Sequence, residues 1–388
     1  KKELSTPSII SSEQRSYNIS NLIRAEISND WSSAGYERQI SQELKRNSQI
    51  NPKGHLVPMN DFYSRATMVT SGDVSGALGT DLRPSLYIDI PRQASSVMQA
   101  GATVITGLTQ KTPKDLGNEI AKCHKLTDKP FGVNLTFLPM FVEPDYPGYI
   151  DGAIDGGVRI VETAGRSPEK YMEKLKGAGI KVIHKCTSVR HSLKAEKIGC
   201  DAASVDGFEC GGHPGEDDIP NMILLPRAAA ELKIPFVASG GIGNGQQLVA
   251  ALALGADGIN MGTRFIATKE APVHQNVKDA IIEASELDTK LIMRPLRNTE
   301  RVLNNSAVDK ILQKEKDLGE NIKIQDIMDE VAGVYPKIMQ EGTMDSGAWS
   351  CGMVAGLIND IPTCEELINQ IMNDAMEIIN DRFKALSA

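Results

Sequence analysis

Between residues 103 and 261, short apolar runs rich in β-branched residues recur every ~20 to 30 residues, each followed by a segment with helical spacing. The runs fall at 103–108, 131–137, 159–163, 181–185, 203–205, 236–238 and 258–261, with helices expected at 113–125, 168–178, 190–198 and 245–254. The runs are apolar throughout instead of alternating, so both faces of each strand are buried, as in a parallel sheet covered by helices. The expected fold class is therefore α/β, a TIM (β/α)8-type barrel, with a doubly wound sheet as the alternative. Seven runs leave such a barrel one strand short, and the N-terminal segment must close the gap or leave unpaired backbone there. Segments 277–335 and 355–388 read as helical and suit a cap over one mouth.

The first hundred residues are of another kind. They hold 11 Lys+Arg and 10 Asp+Glu, against 31 and 40 in the rest, and only 5 of the 34 glycines and none of the six cysteines. One amphipathic helix over 19–45 and a Ser/Gly-rich loop at 70–80 are the readable features. Three parts follow: 1–104 as a non-barrel segment, 105–276 as the barrel, and 277–388 as cap and C-terminal helices. A net charge of −8 makes nucleic acid an unexpected partner. No run of about 18 apolar residues offers a membrane span, and the start KKELSTPSII has no apolar core of a secretory signal. Scattered cysteines without CxxC spacing suit reduced thiols and a cytoplasmic location.

In a barrel of this type the working residues belong at the carboxyl ends of strands. Ser239-Gly240-Gly241-Ile242-Gly243 follows one strand and Gly262-Thr263-Arg264 follows the next. Glycines let backbone approach a ligand and helix starts present unpaired N–H groups, so this adjacent pair points to a phosphate-bearing cofactor. His213, in Glu209-Cys210-Gly211-Gly212-His213-Pro214-Gly215-Glu216, can take a proton from carbon or steady an anion. Lys185 would point into the same mouth and meet a phosphate, an anionic flavin ring or an anionic substrate, while His184 should face the other way. Asn134 offers a donor and an acceptor to a heterocycle edge. Helical and loop histidines 55, 124, 191 and 274 read as solvated or capping, Glu216-Asp217-Asp218 as a solvated turn, and no spacing suggests a metal.

The words GVNLTFLP (132–139), VETAGRSPE (161–169), IHKCTSVRHSLKAEKIGCDAASVDGFECGGHPGEDD (183–218), VASGGIGNGQQLVAALALGADGINMGTRF (237–265) and DSGAWSCGMVAGLINDIPT (345–363) resemble the nitronate monooxygenase family. The resemblance implies a TIM barrel, FMN, no metal, and oxidation of alkyl nitronates by O2 to a carbonyl compound and nitrite. Carried over by position, it implies that His213 is the active-site histidine. It likewise places Asn134, Lys185, Gly212, Ser239, Gly241, Gly262 and Thr263 at the flavin. A flavin-dependent enoyl reductase, with a similar barrel and a glycine-flanked histidine, is the alternative.

The family's opening strand and glutamine-glycine-glycine-methionine loop have no counterpart here. In their place, the words at 30–38, 57–59, 81–84 and 97–104 resemble a fragment of a tailed-phage major capsid protein. That likeness implies a chimera joined near Ile105, and as a minor alternative a capsid-related structural role.

Overall fold

The computed structural model describes residues 68–70, 104–106, 112–126, 131–137 and 144–385, the first two stretches through their strand pairing alone. By compactness the chain divides into Ser64–Ile371, which holds the barrel, and a second unit of residues 1–63 with 372–388.

Eight parallel strands form one sheet: β1 (Met68–Thr70), β2 (Val104–Thr106), β3 (Gly132–Phe137), β4 (Ile160–Gly165), β5 (Lys181–Cys186), β6 (Ala202–Asp206), β7 (Phe236–Ser239) and β8 (Gly258–Met261). Their order, β1-β8-β7-β6-β5-β4-β3-β2, is that of a TIM barrel read from the seam between its first two strands. The strand absent from the sequence reading is β1, which pairs with β8 through Met68↔Ile259 and Thr70↔Met261. The N-terminal segment thus closes the gap by contributing the eighth strand. The loop expected at 70–80 and the helix expected at 19–45 lie outside the described residues, apart from Thr70.

Helices α1 (Pro113–Leu126), α2 (Tyr146–Asp155), α3 (Glu169–Gly177), α4 (Val189–Lys197), α5 (Asn221–Glu231) and α6 (Gly245–Ala253) alternate with β3 to β8. Polar side chains start several of them: Ser188 Oγ accepts from His191 N at 3.3 Å, and Asn244 Oδ1 from Gln247 N at 2.9 Å. The outward strand residues Val133, Leu135, Val161 and Val182 pack against Leu116, Ile120, Ile150 and Leu175. Each such fully buried aliphatic side chain contributes roughly 1.5–3 kcal/mol.

Beyond β8 come the short α7 (Thr263–Ile266) and α8 (Gln275–Glu283). The stretch 277–335, expected to be helical, then contains an antiparallel pair, β9 (Thr289–Ile292) and β10 (Glu300–Leu303). Its turn uses Met293 at φ 61° and Arg297 at φ 51°, with no glycine to announce it. Ile292 and Val302 pack with Val308 and Ile311 of α9 (Ser306–Leu318) and with Ile327. Helices α10 (Met328–Val331), α11 (Tyr335–Met339) and α12 (Cys364–Glu377) follow.

All six cysteines are buried and free. Among the described residues no helix is long and apolar enough to cross a membrane, and no His/Cys/Asp/Glu group is arranged to hold a metal ion.

Candidate active site

Strand alternation turns one face of each strand inward, and here the upper inward layer is polar. Asn134 Nδ2 donates to Glu162 Oε2 at 2.6 Å, and Asn260 Nδ2 reaches Glu162 Oε1 at 3.3 Å and Ser204 Oγ at 3.2 Å. Ser204 Oγ donates to Asp206 Oδ1 at 3.1 Å, and Asp206 Oδ2 lies 3.4 Å from Lys185 Nζ. All but Lys185 are buried, so the network exchanges water for reciprocal partners. One acceptor is left over: Asn260 Oδ1 has no partner.

Two cavities open above this layer, and Lys185 and Gly211 line both. The smaller is walled by Ser239, Gly241, Asn260, Gly262 and Thr263. Gly240 and Gly241 sit at φ +90° and +73° there. A side chain is excluded at both, since a Cβ on Gly241 would stand 2.8 Å from Glu209 Cβ, and one on Gly240 2.8 Å from Cys210 Cβ. Among the described residues the N–H groups of Gly240, Gly241 and Ile242 donate to nothing. Thr263 Oγ1 accepts from Gly352 N at 2.9 Å, and its hydroxyl also meets the buried Cys351 thiol. Arg264, in the same sequence word, turns away to Asp360 Oδ1 and the Ala267 and Asp360 carbonyls, each at 2.9 Å.

The larger cavity, of about 640 Å³, holds His213 at its wall. His213 is half-buried, and its ring has no partner among the described residues. Its loop is fixed by an antiparallel bridge between Gly212 and Arg301, at 3.1 and 2.6 Å. Arg301 is itself buried, donating to Phe208 O from Nε and Nη2 at 3.2 and 3.0 Å and to Thr289 Oγ1 at 3.0 Å. Beneath the loop, Asn221 N donates to both Glu209 carboxylate oxygens at 3.1 Å, and its Nδ2 to the carbonyls of Ser239 and Gly240 at 2.8 and 2.7 Å. Asn221 thereby joins the histidine loop to the glycine loop.

The structure brings Lys185, Ser239, Gly241, Gly262 and Thr263 together, with His213 across the mouth. Asn134 and Gly212 line neither cavity: the Asn134 amide is committed to Glu162 and to Thr136 Oγ1, which donates to its oxygen at 2.8 Å. His184 alternates to the outer face of β5, 2.8 Å from Thr163 Oγ1, yet it too lines the larger cavity; burial pulls its imidazole down to about 4. His274 caps α8, its Nδ1 accepting from Asn276 N at 3.1 Å, and His124 Nε2 lies 2.9 Å from Gly156 O. His55 lies outside the described residues.

The acidic turn after His213 is a correction. Glu216 accepts from Thr299 N and Oγ1 at 2.9 and 2.6 Å, and Asp218 pairs with Arg294 at 2.8 Å, so the turn is clamped to the β9–β10 hairpin instead of being merely solvated. Asn260, Asp206 and Arg301 were missed in the sequence. Asn260 was legible by alternation, two residues before Gly262; Arg301 depended on a hairpin that no glycine marked.

These features define a parallel barrel with unpartnered glycine-loop amides on one side of its mouth and a glycine-flanked histidine on the other. The chain belongs to the nitronate monooxygenase family, which its residues 85–374 match, and with it to the flavin-dependent oxidoreductases. It is 32% identical over 332 residues to the (3aS,4S,5R,7aS)-5-hydroxy-7a-methyl-1-oxo-octahydro-1H-indene-4-carboxyl-CoA dehydrogenase of Rhodococcus jostii, covering 77% of this chain and 92% of that one. It is 29% identical to a probable nitronate monooxygenase of Staphylococcus aureus, over 59% of this chain and 76% of the relative. Among solved structures it resembles FabK from Thermotoga maritima, with a TM-score of 0.72 and 28% identity over 85% of this chain and 100% of that chain. The family match begins upstream of the junction expected near Ile105 and takes in the capsid-like word at 97–104. The capsid likeness and the chimera inferred from it have no support.

Proposed function

We propose that the chain is an FMN-dependent oxidase of acidic carbon compounds, with alkyl nitronates and O2 as substrates and a carbonyl compound and nitrite as products. The observation that carries this reading is the pairing, across one mouth, of amides at Gly240–Ile242 with the His213 imidazole, neither having a partner among the described residues. The residues fit a flavin mononucleotide. Its phosphate suits a cradle that admits no side chain, and the orphan Asn260 Oδ1 at the cradle floor suits a ligand donor.

Ser239 would add a hydroxyl donor to the phosphate, and Gly262 allows the close approach. Bound flavin supplies the electron transfer from substrate to O2. His213, without a hydrogen-bond partner among the described residues, takes the proton from the carbon of a neutral nitroalkane or donates to the oxygen of a nitronate. Lys185, held by Asp206, keeps a cation beside that negative charge. Purified protein titrated with FMN should develop the visible spectrum of a bound flavin, and an alkyl nitronate should bleach it anaerobically. A protein that takes up no flavin would reject the reading.

A second reading is favoured by one specific observation: the match to the carboxyl-CoA dehydrogenase extends over 92% of that relative, against 76% for the nitronate monooxygenase. On this reading the acidic carbon lies beside a thioester carbonyl, and the same base and cation serve an enolate. Anaerobic bleaching by acyl-CoA but not by nitronate would select it. Bleaching by a nicotinamide cofactor would point instead to the enoyl reductase alternative.

A further inference from the structure

The loop that carries His213 runs beside β10 as a short, interrupted strand. Gly212 and Arg301 exchange both backbone hydrogen bonds, Gly212 N donating to Arg301 O at 3.1 Å and Arg301 N to Gly212 O at 2.6 Å. In an antiparallel ladder the next such pair lies two residues on along each chain, which here is Pro214 opposite Thr299. Pro214 has no N–H to donate, so the ladder stops there. The Thr299 amide is taken up by a side chain instead: Glu216 Oε1 accepts from Thr299 N at 2.9 Å, and Oε2 from Thr299 Oγ1 at 2.6 Å. One carboxylate thus replaces the missing rung.

Between the two anchors, residues 213–215 span what Glu300 alone spans on the other chain, so the surplus has to leave the line of the ladder. A continued ladder would set His213 opposite Glu300, whose carboxylate turns to Ser350 and accepts from its Oγ at 2.7 Å. The bulge sets His213 at the wall of the larger cavity, beside Gly215, Glu216 and Thr299. Gly215 sits at φ +82°, and a Cβ there would stand 2.6 Å from Thr187 Oγ1, so the bulge is pressed against the loop after β5. Among the described residues the non-glycine residues at positive φ are Asp218, Met293 and Arg297, in this turn and in the hairpin it grips. No hydrogen-bond partner among those residues aims the His213 ring, so the bulge does. We propose that Glu216 is the positioning residue of His213: its carboxylate, clamped on the buried Thr299, holds the imidazole where it meets the substrate carbon. Both of its oxygens face Thr299, so it works through geometry and not through its charge. This rests on the base role of His213 in the proposed function and deepens it.

Steady-state oxygen consumption of the flavin-loaded full chain, with a neutral nitroalkane and with its preformed nitronate, tests it. Glu216→Ala should lower kcat/KM for the neutral substrate about tenfold, chiefly through kcat, and for the nitronate by less than about threefold, because a misplaced base costs only the substrate that needs one. Thr299→Val attacks the clamp from the other side, with an expected loss of about fivefold, and keeps the test open should Glu216→Ala not fold. Glu216→Gln can still accept from Thr299 N, and Thr299→Ser keeps the hydroxyl, so both should stay within about twofold of the parent. Glu216→Gln falling as far as Glu216→Ala would make the charge the working property and overturn the proposal. NMR spectra of the histidine-labelled full chain, with the His213 signals assigned by their loss in His213→Asn, give a readout apart from turnover. Those signals should shift in Glu216→Ala and Thr299→Val and stay near the parent's in Glu216→Gln. Unshifted signals, or shifted signals with parent-like rates on both substrates, overturn the positioning role. Shifted signals with equal losses on both substrates leave that role standing and refute the base role of His213 instead.

Discussion

The β7–β8 side of the mouth is made of backbone, and the side spanned by the loops after β4 to β6 is made of side chains. On the first, Gly240 and Gly241 present amides with no partner among the described residues; on the second, Lys185 and His213 line a wider space. The two sides should fail in opposite ways. A backbone cradle is spoiled by adding atoms, and a side-chain wall by removing them.

The largest effect is expected from subtraction at the chemistry. His213→Asn should lower kcat/KM for a neutral nitroalkane by about 10² to 10³, and for the preformed nitronate by less than about tenfold, because only the former needs a base. Steady-state oxygen consumption with both substrates measures the split, and equal losses would remove the base role. Addition comes next. Gly241→Val places a β-branched side chain at φ +73° against Glu209 and should weaken FMN binding at least about a hundredfold, read by flavin absorbance after gel filtration. Normal flavin retention in that variant would mean that the cradle does not hold the phosphate.

A third test reaches the outward face of β5, behind the side-chain wall. Burial lowers the His184 pKa from 6.5 to about 4, so the folded state favours the neutral ring. Its contribution is present above pH 6.5 and is lost as pH falls toward 4, at most about 3 kcal/mol by linkage. His184→Gln should flatten that part of the stability–pH curve in urea titrations, and an unchanged slope would show that His184 is not its source. The smallest effect is expected at Arg301. Arg301→Met leaves Phe208 O and Thr289 Oγ1 without this donor and should cost about 1–3 kcal/mol of stability. It should also loosen the His213 loop, seen as faster amide exchange at Gly212, whereas rates matching the parent would mean that the bridge holds unaided.

How far the sequence could be read follows the same division. Strands β2 to β8 were legible because short runs rich in apolar and β-branched residues recur at barrel spacing even though polar residues interrupt them, and the run at 258–261 coincides with β8 (Gly258–Met261). β1 was not, since three residues in a polar context carry no period. Helix α2 begins with Tyr146-Pro147-Gly148 and α5 contains Pro226, so composition argued against both. The hairpin was hidden because its turn uses Met293 and Arg297 at positive φ, and because a buried cation, Arg301, occupies a strand position where an apolar residue would have revealed it. In the site, glycine words signalled the cradle directly. The polar inward layer was less visible, because Glu162, Ser204 and Asp206 declare their role only through partners on neighbouring strands.

Gly211 and Gly352 meet backbone to backbone, since a Cβ on Gly211 would lie 2.7 Å from Gly352 N, and Met353 N closes on Glu209 O at 3.0 Å. Both walls of the mouth thus lean on a segment that lies far downstream of β8 in the sequence. During translation the strands up to β8 can emerge and begin to pair while that buttress is still inside the ribosome. The loop bearing the imidazole therefore acquires its final support only after the barrel strands are made, and a chain cut short before residue 350 would carry those strands without the brace that sets the loop's position.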